Sequence, residues 1–187
     1  MDSATGTTKM KGYHYVGMPN GFFLFENENY VPMGFTYQNY VTRSEYDTLS
    51  ADDRELLLLR ALVVEDDEAG KISRLLNHLD INTQQYSYDW FVVDCENRRN
   101  SACSYFETNK RGFTAETTLP AANTLFFSVP YEKGWSATVN GEKAEILKAD
   151  AGFMAVICPA GESKVEFTYK TPGLGLGALF TLGGTVL

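Results

Sequence analysis

The stretch Thr124–Thr171 constrains the fold more than any other. Thr124–Val129 is short, β-branched and aromatic, and Pro130 closes it, so it predicts a strand. Trp135–Val139 alternates large and small side chains, as a half-buried strand does. Asn140-Gly141 follows, and both residues tolerate the positive φ of a two-residue hairpin turn. Glu142–Lys148 is then the return strand. Gly152–Cys158 is a nearly continuous apolar run of strand length, which two-sided burial explains. Lys164–Tyr169 alternates strictly, with Val165, Phe167 and Tyr169 facing inward. Five strands at short spacing, with turn residues between them, predict a mainly β domain with short helices (α+β), an antiparallel β-sandwich or jelly-roll-like arrangement.

Upstream the pattern is mixed. Phe22–Phe25 and Gly34–Val41 read as strands, the latter with Phe35, Tyr37 and Asn39 on one face. Ser44–Leu49 suits a short helix. Ser50 with Asp53 three residues on is a loose capping box for a helix from Ala51 to Leu62. A second short helix is expected over Ile72–Leu79. Tyr86–Val93 reads as a strand, Asn97–Thr108 as an amphipathic helix and Gly112–Thr118 as a strand. The expected organisation is a flexible polar leader over residues 1–11, a β-sandwich domain over 12–172 with a helical insertion at about 44–80, and a separate tail over 173–187. That tail, Gly173–Leu187, has no charged residue. It reads either as a Gly-rich end of the sandwich or as the start of a truncated transmembrane helix, and the second reading is the expectation carried forward.

Charge and motifs exclude more than they assign. Formal net charge is −8, with 16 Lys+Arg against 24 Asp+Glu. Nucleic acid or an anionic lipid surface as main partner would want a basic face. Cys95, Cys103 and Cys158 have no metal-ligand spacing. Cys158 suits a core position, and a Cys95–Cys103 bridge stays open beside free thiols. The acidic run Glu65–Glu68 lacks the order of a calcium loop and reads as a solvated loop. His14 and His78 have no ligand partners at useful spacing. No catalytic residue, metal site or cofactor site is expected.

Aromatic residues carry the binding candidates. Sugar faces stack on flat rings, and Asn, Asp or Glu side chains hydrogen-bond hydroxyls. Tyr131, Trp135, Asn140 and Glu132 supply those types in one stretch, and Trp90 beside Asp89 and Tyr88 supplies a second. The competing reading for Trp135 is a core plug beneath a tight turn at Gly134.

Several of these segments together resemble the bacterial YfhO-like membrane proteins. The matching pieces are Glu26-Asn27, Val31-Pro32-Met33-Gly34 and Arg43–Val64. The most specific is Ser128-Val129-Pro130-Tyr131 followed by Gly134-Trp135, then Val139-Asn140-Gly141, Gly152–Val156, Pro159–Gly161 and Phe167–Gly173. The resemblance implies the last extracytoplasmic domain of a multi-pass cell-membrane protein related to GT-C glycosyltransferases. It further implies a role in adding sugar from a lipid-linked donor to envelope polymers such as teichoic acids. On that reading this domain binds or positions a cell-envelope glycan or lipid-linked sugar, and the full-length protein resembles an enzyme while this segment is non-catalytic. Flanking helices outside the segment would hold the membrane. The alternative is a non-catalytic β-sandwich module for carbohydrate binding or adhesion.

Overall fold

The computed structural model describes residues 11–174, 177 and 181. In chain order the strands begin with β1 (Tyr13–Gly17), β2 (Leu24–Asn27), β3 (Phe35–Thr36) and β4 (Asn39–Thr42). Helices α1 (Arg43–Asp47) and α2 (Ala51–Leu57) follow, then β5 (Leu62–Val64), α3 (Ala69–Ile72), β6 (Asn77–His78) and α4 (Tyr88–Asn100). The rest is strand: β7 (Tyr105–Asn109), β8 (Gly112–Leu119), β9 (Asn123–Pro130), β10 (Trp135–Val139), β11 (Glu142–Ala144), β12 (Leu147–Ala149), β13 (Phe153–Cys158) and β14 (Gly161–Tyr169).

Among the described residues the strands form three sheets. One is antiparallel and five-stranded, in the order β11-β10-β14-β8-β7. The second is seven-stranded, in the order β3-β9-β13-β12-β5-β4-β6. It is mixed, because β4 runs parallel to both β5 and β6. The third is the hairpin β1-β2. Alternation on β8, β10 and β14 sends Phe113, Ala115, Ala137, Val165 and Phe167 to one face. They meet Leu125, Phe127, Met154, Val156 and Cys158 from β9 and β13 of the larger sheet. The two sheets therefore close on one apolar core, and the fold is mainly β, with short helices and a β-sandwich arrangement. The larger sheet's far face buries Phe35, Tyr37, Tyr40, Leu62, Phe126 and Ala155 beside Ile72 and Leu76. That second burial explains why β13 has little polar alternation.

The hairpin at Asn140-Gly141 forms as the turn chemistry requires, with φ of 54° and 82°. Its return strand is shorter than expected. Glu142–Ala144 pairs with β10, and the chain then crosses the sandwich, so that Leu147–Ala149 pairs with β13 and β5 in the other sheet. Gly34–Val41 likewise breaks in two around Tyr37-Gln38, which returns Tyr40 rather than Asn39 to the buried face.

Helix boundaries depart further from the sequence pattern. Ser50 caps α2 by accepting the Asp53 N–H at 3.2 Å, but the helix ends at Leu57. Leu62-Val63-Val64, rich in β-branched side chains, pairs along β4 instead of extending the helix. The stretch expected as a helical insertion holds α1, α2 and α3 together with β5 and β6, two strands of the larger sheet. Helix is confined to Ala69–Ile72 where Ile72–Leu79 was expected, and Asn77-His78 pairs with β4.

The largest reversal is at Tyr86–Val93 and Asn97–Thr108. A single helix, α4, replaces the expected strand and the first part of the expected helix, and β7 replaces the rest. Tyr-Asp-Trp-Phe-Val-Val has strand propensity, but Ser87 accepts the Trp90 N–H at 3.4 Å and Asp89 sits at the positive end of the helix dipole. The three cysteines are free thiols. The expected leader over residues 1–11 and the expected membrane helix over 173–187 fall almost wholly outside the described residues. Of the latter, Leu174, Gly177 and Thr181 are helical, and the Gly177 N–H donates to the Gly173 carbonyl at 2.9 Å.

Candidate functional site

Helix α4 turns its side chains to two places. Asp94, Cys95 and Arg98 are buried, while Trp90 is 48% exposed. Arg98 lies over the Tyr37 ring at 4.7 Å and donates to the Thr36 carbonyl and the Gln38 amide oxygen. The Tyr37 hydroxyl is 2.6 Å from the Leu58 carbonyl and 2.9 Å from Asp150 Oδ2, and Asp150 Oδ1 accepts the Val63 N–H at 2.8 Å. One hydroxyl proton cannot serve two acceptors. A protonated Asp150 resolves this, donating to the Tyr37 oxygen while Tyr37 donates to Leu58. Burial holds the Asp150 carboxyl up to about 7, and burial, with Asp150 next, raises Tyr37. This cluster is enclosed and ties β12, β5 and α4 together.

The open side of α4 is different. Trp90, Val93, Asp94 and Asn97 fall at i, i+3, i+4 and i+7, one helical face. They line a groove of about 390 Å³ completed by Asn39, Arg60, Gln84 and Gln85. Arg60 organises it. Its guanidinium lies 5.6 Å from the Trp90 ring and 5.7 Å from the Tyr86 ring. It donates to Asp94 at 3.0 Å and to the Gln85 carbonyl at 2.8 Å. Burial pushes the Asp94 carboxyl up, and Arg60 opposes that shift. The result is a half-exposed aromatic plate ringed by amides and one ion pair. Such a surface offers stacking and hydrogen bonds to a polyhydroxyl ligand.

The other candidates lie on the five-stranded sheet and its loops. Trp135 is half-buried, edge-on to Tyr169 at 5.0 Å, Phe113 at 5.7 Å and Phe167 at 6.2 Å. Those contacts make it a wedge at the end of the sandwich core. Tyr131 is exposed, and its backbone N–H donates to Gly152. Glu132 accepts the Tyr169 hydroxyl at 2.8 Å. Asn140 uses its side chain on the chain itself, accepting the Lys164 N–H at 2.8 Å. Trp90 stands apart from these four, on α4.

Among the described residues no group of three or more His, Cys, Asp or Glu side chains is placed to hold a metal ion. Burial pushes the Cys95 and Cys103 thiols up to about 11 and Cys158 to about 12, so all three stay protonated near neutrality. Asn39, Arg60, Asp94 and Asn97 were missed by the sequence reading. The signal for Asp94 and Asn97 was the helical spacing from Trp90, hidden by reading the start of that segment as a strand; Asn39 and Arg60 reach the groove only through the fold.

Residues 92–181 match the family described as bacterial membrane protein YfhO. A stretch of 79 residues is also 32% identical to "Uncharacterized protein YfhO" of Bacillus subtilis (strain 168). Over residues 92–181 the chain is therefore similar to the YfhO family. The matched stretch is 42% of this chain and 9% of that relative, so the chain spans a small part of the YfhO protein it matches. No solved structure matches the chain. The YfhO match covers most of α4 and all of β7–β14, and thus the whole five-stranded sheet and both strands that face it most closely. It includes Asp94 and Asn97 of the groove and starts two residues after Trp90. The family that these residues match is described as a bacterial membrane protein. Among the described residues no helix is long and apolar enough to cross one.

Proposed function

We propose that this chain is an extracytoplasmic domain of a multi-pass YfhO-type membrane protein that glycosylates envelope polymers such as teichoic acid from a lipid-linked sugar. The domain's part is to bind or position the glycan, and the bond-making residues lie elsewhere in the full protein. The observation that carries this reading is the groove along α4. An aromatic ring held by Arg60 supplies a stacking plate, and Asn39, Gln84, Gln85 and Asn97 supply both donors and acceptors around it. Of the aromatic candidates, Trp90 fits the role better than Trp135, whose ring edges are taken by Phe113, Phe167 and Tyr169.

The test is an NMR titration with teichoic-acid and related glycan fragments, following the two indole signals. Selective shifts at Trp90, with Trp135 still, are the expected result. Trp90→Ala should weaken binding by about tenfold, the loss of roughly 1–1.5 kcal/mol of stacking. Because Trp90 is half exposed, it should leave the unfolding midpoint nearly unchanged. No shift at millimolar glycan removes the glycan-positioning role. Shifts with teichoic-acid fragments and unrelated polysaccharides alike would favour a general carbohydrate-binding or adhesion module.

A further inference from the structure

The hairpin β1-β2 stands outside the sandwich. Among the described residues its strands pair only with each other. Its base is firmly held: Glu28 N–H donates to the Gly12 carbonyl at 2.8 Å, Asn29 Nδ2 to the Tyr88 hydroxyl at 2.9 Å and Arg99 to the Glu28 and Tyr30 carbonyls. The tip touches little. From Tyr15 to Phe25 the chain has no charged residue. Phe22 is 77% exposed, and Val16, Met18 and Leu24 are about half exposed. Charge returns only at the base, where His14 lies 3.2 Å from Glu26 and 3.1 Å from Glu28.

We propose that this tip is a membrane-anchoring wedge that inserts into the lipid interface beside the membrane part of the YfhO-type protein. Three observations favour lipid over a protein partner. First, apolar side chains are exposed on both strands, Tyr15 and Val16 at the register shift of β1 and Leu24 on β2, while Phe23 and Phe25 are half-buried beside the Tyr15 ring. A tip whose apolar side chains are covered mainly by one another suits immersion in a fluid apolar medium. Second, the family is a membrane-protein family, so a bilayer is at hand. Third, the turn pairs one of its own backbone groups, the Phe22 N–H donating to the Pro19 carbonyl at 3.1 Å, which lowers the cost of leaving water. Four residues of strand from Tyr15 to the turn reach about 13 Å. That spans the headgroup region and stops short of crossing, while the His14 and Glu26 row remains in water. With a net charge of −8, the attraction is apolar, so anionic lipid should not strengthen it.

The experiment uses the whole 187-residue chain and phosphatidylcholine vesicles. In flotation, the double variant Met18→Asp with Phe22→Asp is expected to partition about tenfold less than the parent, with the same unfolding midpoint. The apolar residues 173–187 are a second route to the vesicle, so a direct readout is added. Phe22→Trp should show a new indole emission, over the Trp90 and Trp135 background, that brominated phosphatidylcholine quenches. An unquenched Trp at position 22 overturns the wedge, even if the chain floats by its tail. So does equal flotation of parent and double variant. A shift from dimer to monomer on sedimentation of the double variant, with vesicle binding unchanged, would assign the tip to a second copy instead. A failure of the glycan titration leaves this inference untouched, since it rests on family and hairpin alone.

Discussion

Asp150→Asn should make the protein more stable at pH 8 than its parent and flatten its stability between pH 4 and 7. The Asp150 carboxyl is buried and held up to about 7, mainly by loss of solvent, against roughly 4 in the unfolded chain. Below pH 4 the carboxyl is protonated in both states and contributes no slope. Between 4 and 7 the unfolded chain releases this proton and the folded one keeps it. The folded state therefore binds more protons, and stability falls as pH rises through that window. Above 7 the loss is complete, with a ceiling of about 4 kcal/mol for three pKa units. Asn keeps the useful bonds: its oxygen accepts the Val63 N–H, and its amide donates to the Tyr37 oxygen. It also suits the left-handed backbone at this position, where φ is 45°. Its second amide hydrogen has no assigned acceptor, which reduces the gain to about 2 kcal/mol. Urea unfolding of parent and variant at pH 5 and pH 8 checks this. Parallel curves would mean that Asp150 is ionised in the fold and that Tyr37 donates to it. Asp94, also raised by burial, and Glu45, lowered despite burial by bonds to His78 and Thr42, titrate in both proteins and cancel in the comparison.

The β half of the fold was legible because its signals are local and redundant. Asn140-Gly141 can form few other turns, and the alternation of Val165, Phe167 and Tyr169 admits one buried face. What stayed hidden was decided by distant partners. Glu142–Lys148 looks continuous, yet its two ends pair with different sheets, and nothing within the segment marks the crossing. Leu62-Val63-Val64 is strand because β4 and β12 flank it. The short helices of this region are held by caps and by tertiary packing, so their length follows the space available.

Helix α4 was misread for a more specific reason, and the candidate site with it. It buries Asp94 and Arg98 and leaves Trp90, Val92 and Val93 exposed. Apolar periodicity assumes the reverse. Arg98 can be buried there because Thr36, Gln38 and the Tyr37 ring receive it, and Asp94 because Arg60 does. Those partners lie some 34 to 62 residues away in sequence. Trp90 stood out as an aromatic residue worth weighing, but the side chains that surround it came into view only with the helix in place.

The motif Val31-Pro32-Met33-Gly34 has a physical reason that composition could not supply, and Gly34→Ala should be among the most damaging small substitutions in the chain. Gly34 has φ of +79°, where a Cβ costs about 1 kcal/mol. The added carbon would also run into Cys103 Sγ and sit 2.9 Å from Phe127 Cε1. Neither neighbour can step aside. The Cys103 N–H donates to the Gly34 carbonyl at 2.7 Å, and Phe127 is fully buried against Phe113 and Phe167 at 5.0 and 5.3 Å. Overpacking of this kind adds about 2 kcal/mol, for a total near 3 kcal/mol, or roughly 10 °C in the unfolding midpoint of a domain this size. Gly141→Ala is the control. Its φ of +82° carries the same backbone penalty, but nothing lies within 4 Å of the new carbon. It should cost about 1 kcal/mol. If the two substitutions lower the midpoint equally, Gly34 is there for its backbone alone. If Gly34→Ala is clearly worse, the glycine is the point where the chain entering β3 lies flush against the core, and the motif marks the seam between the first strands and the sandwich.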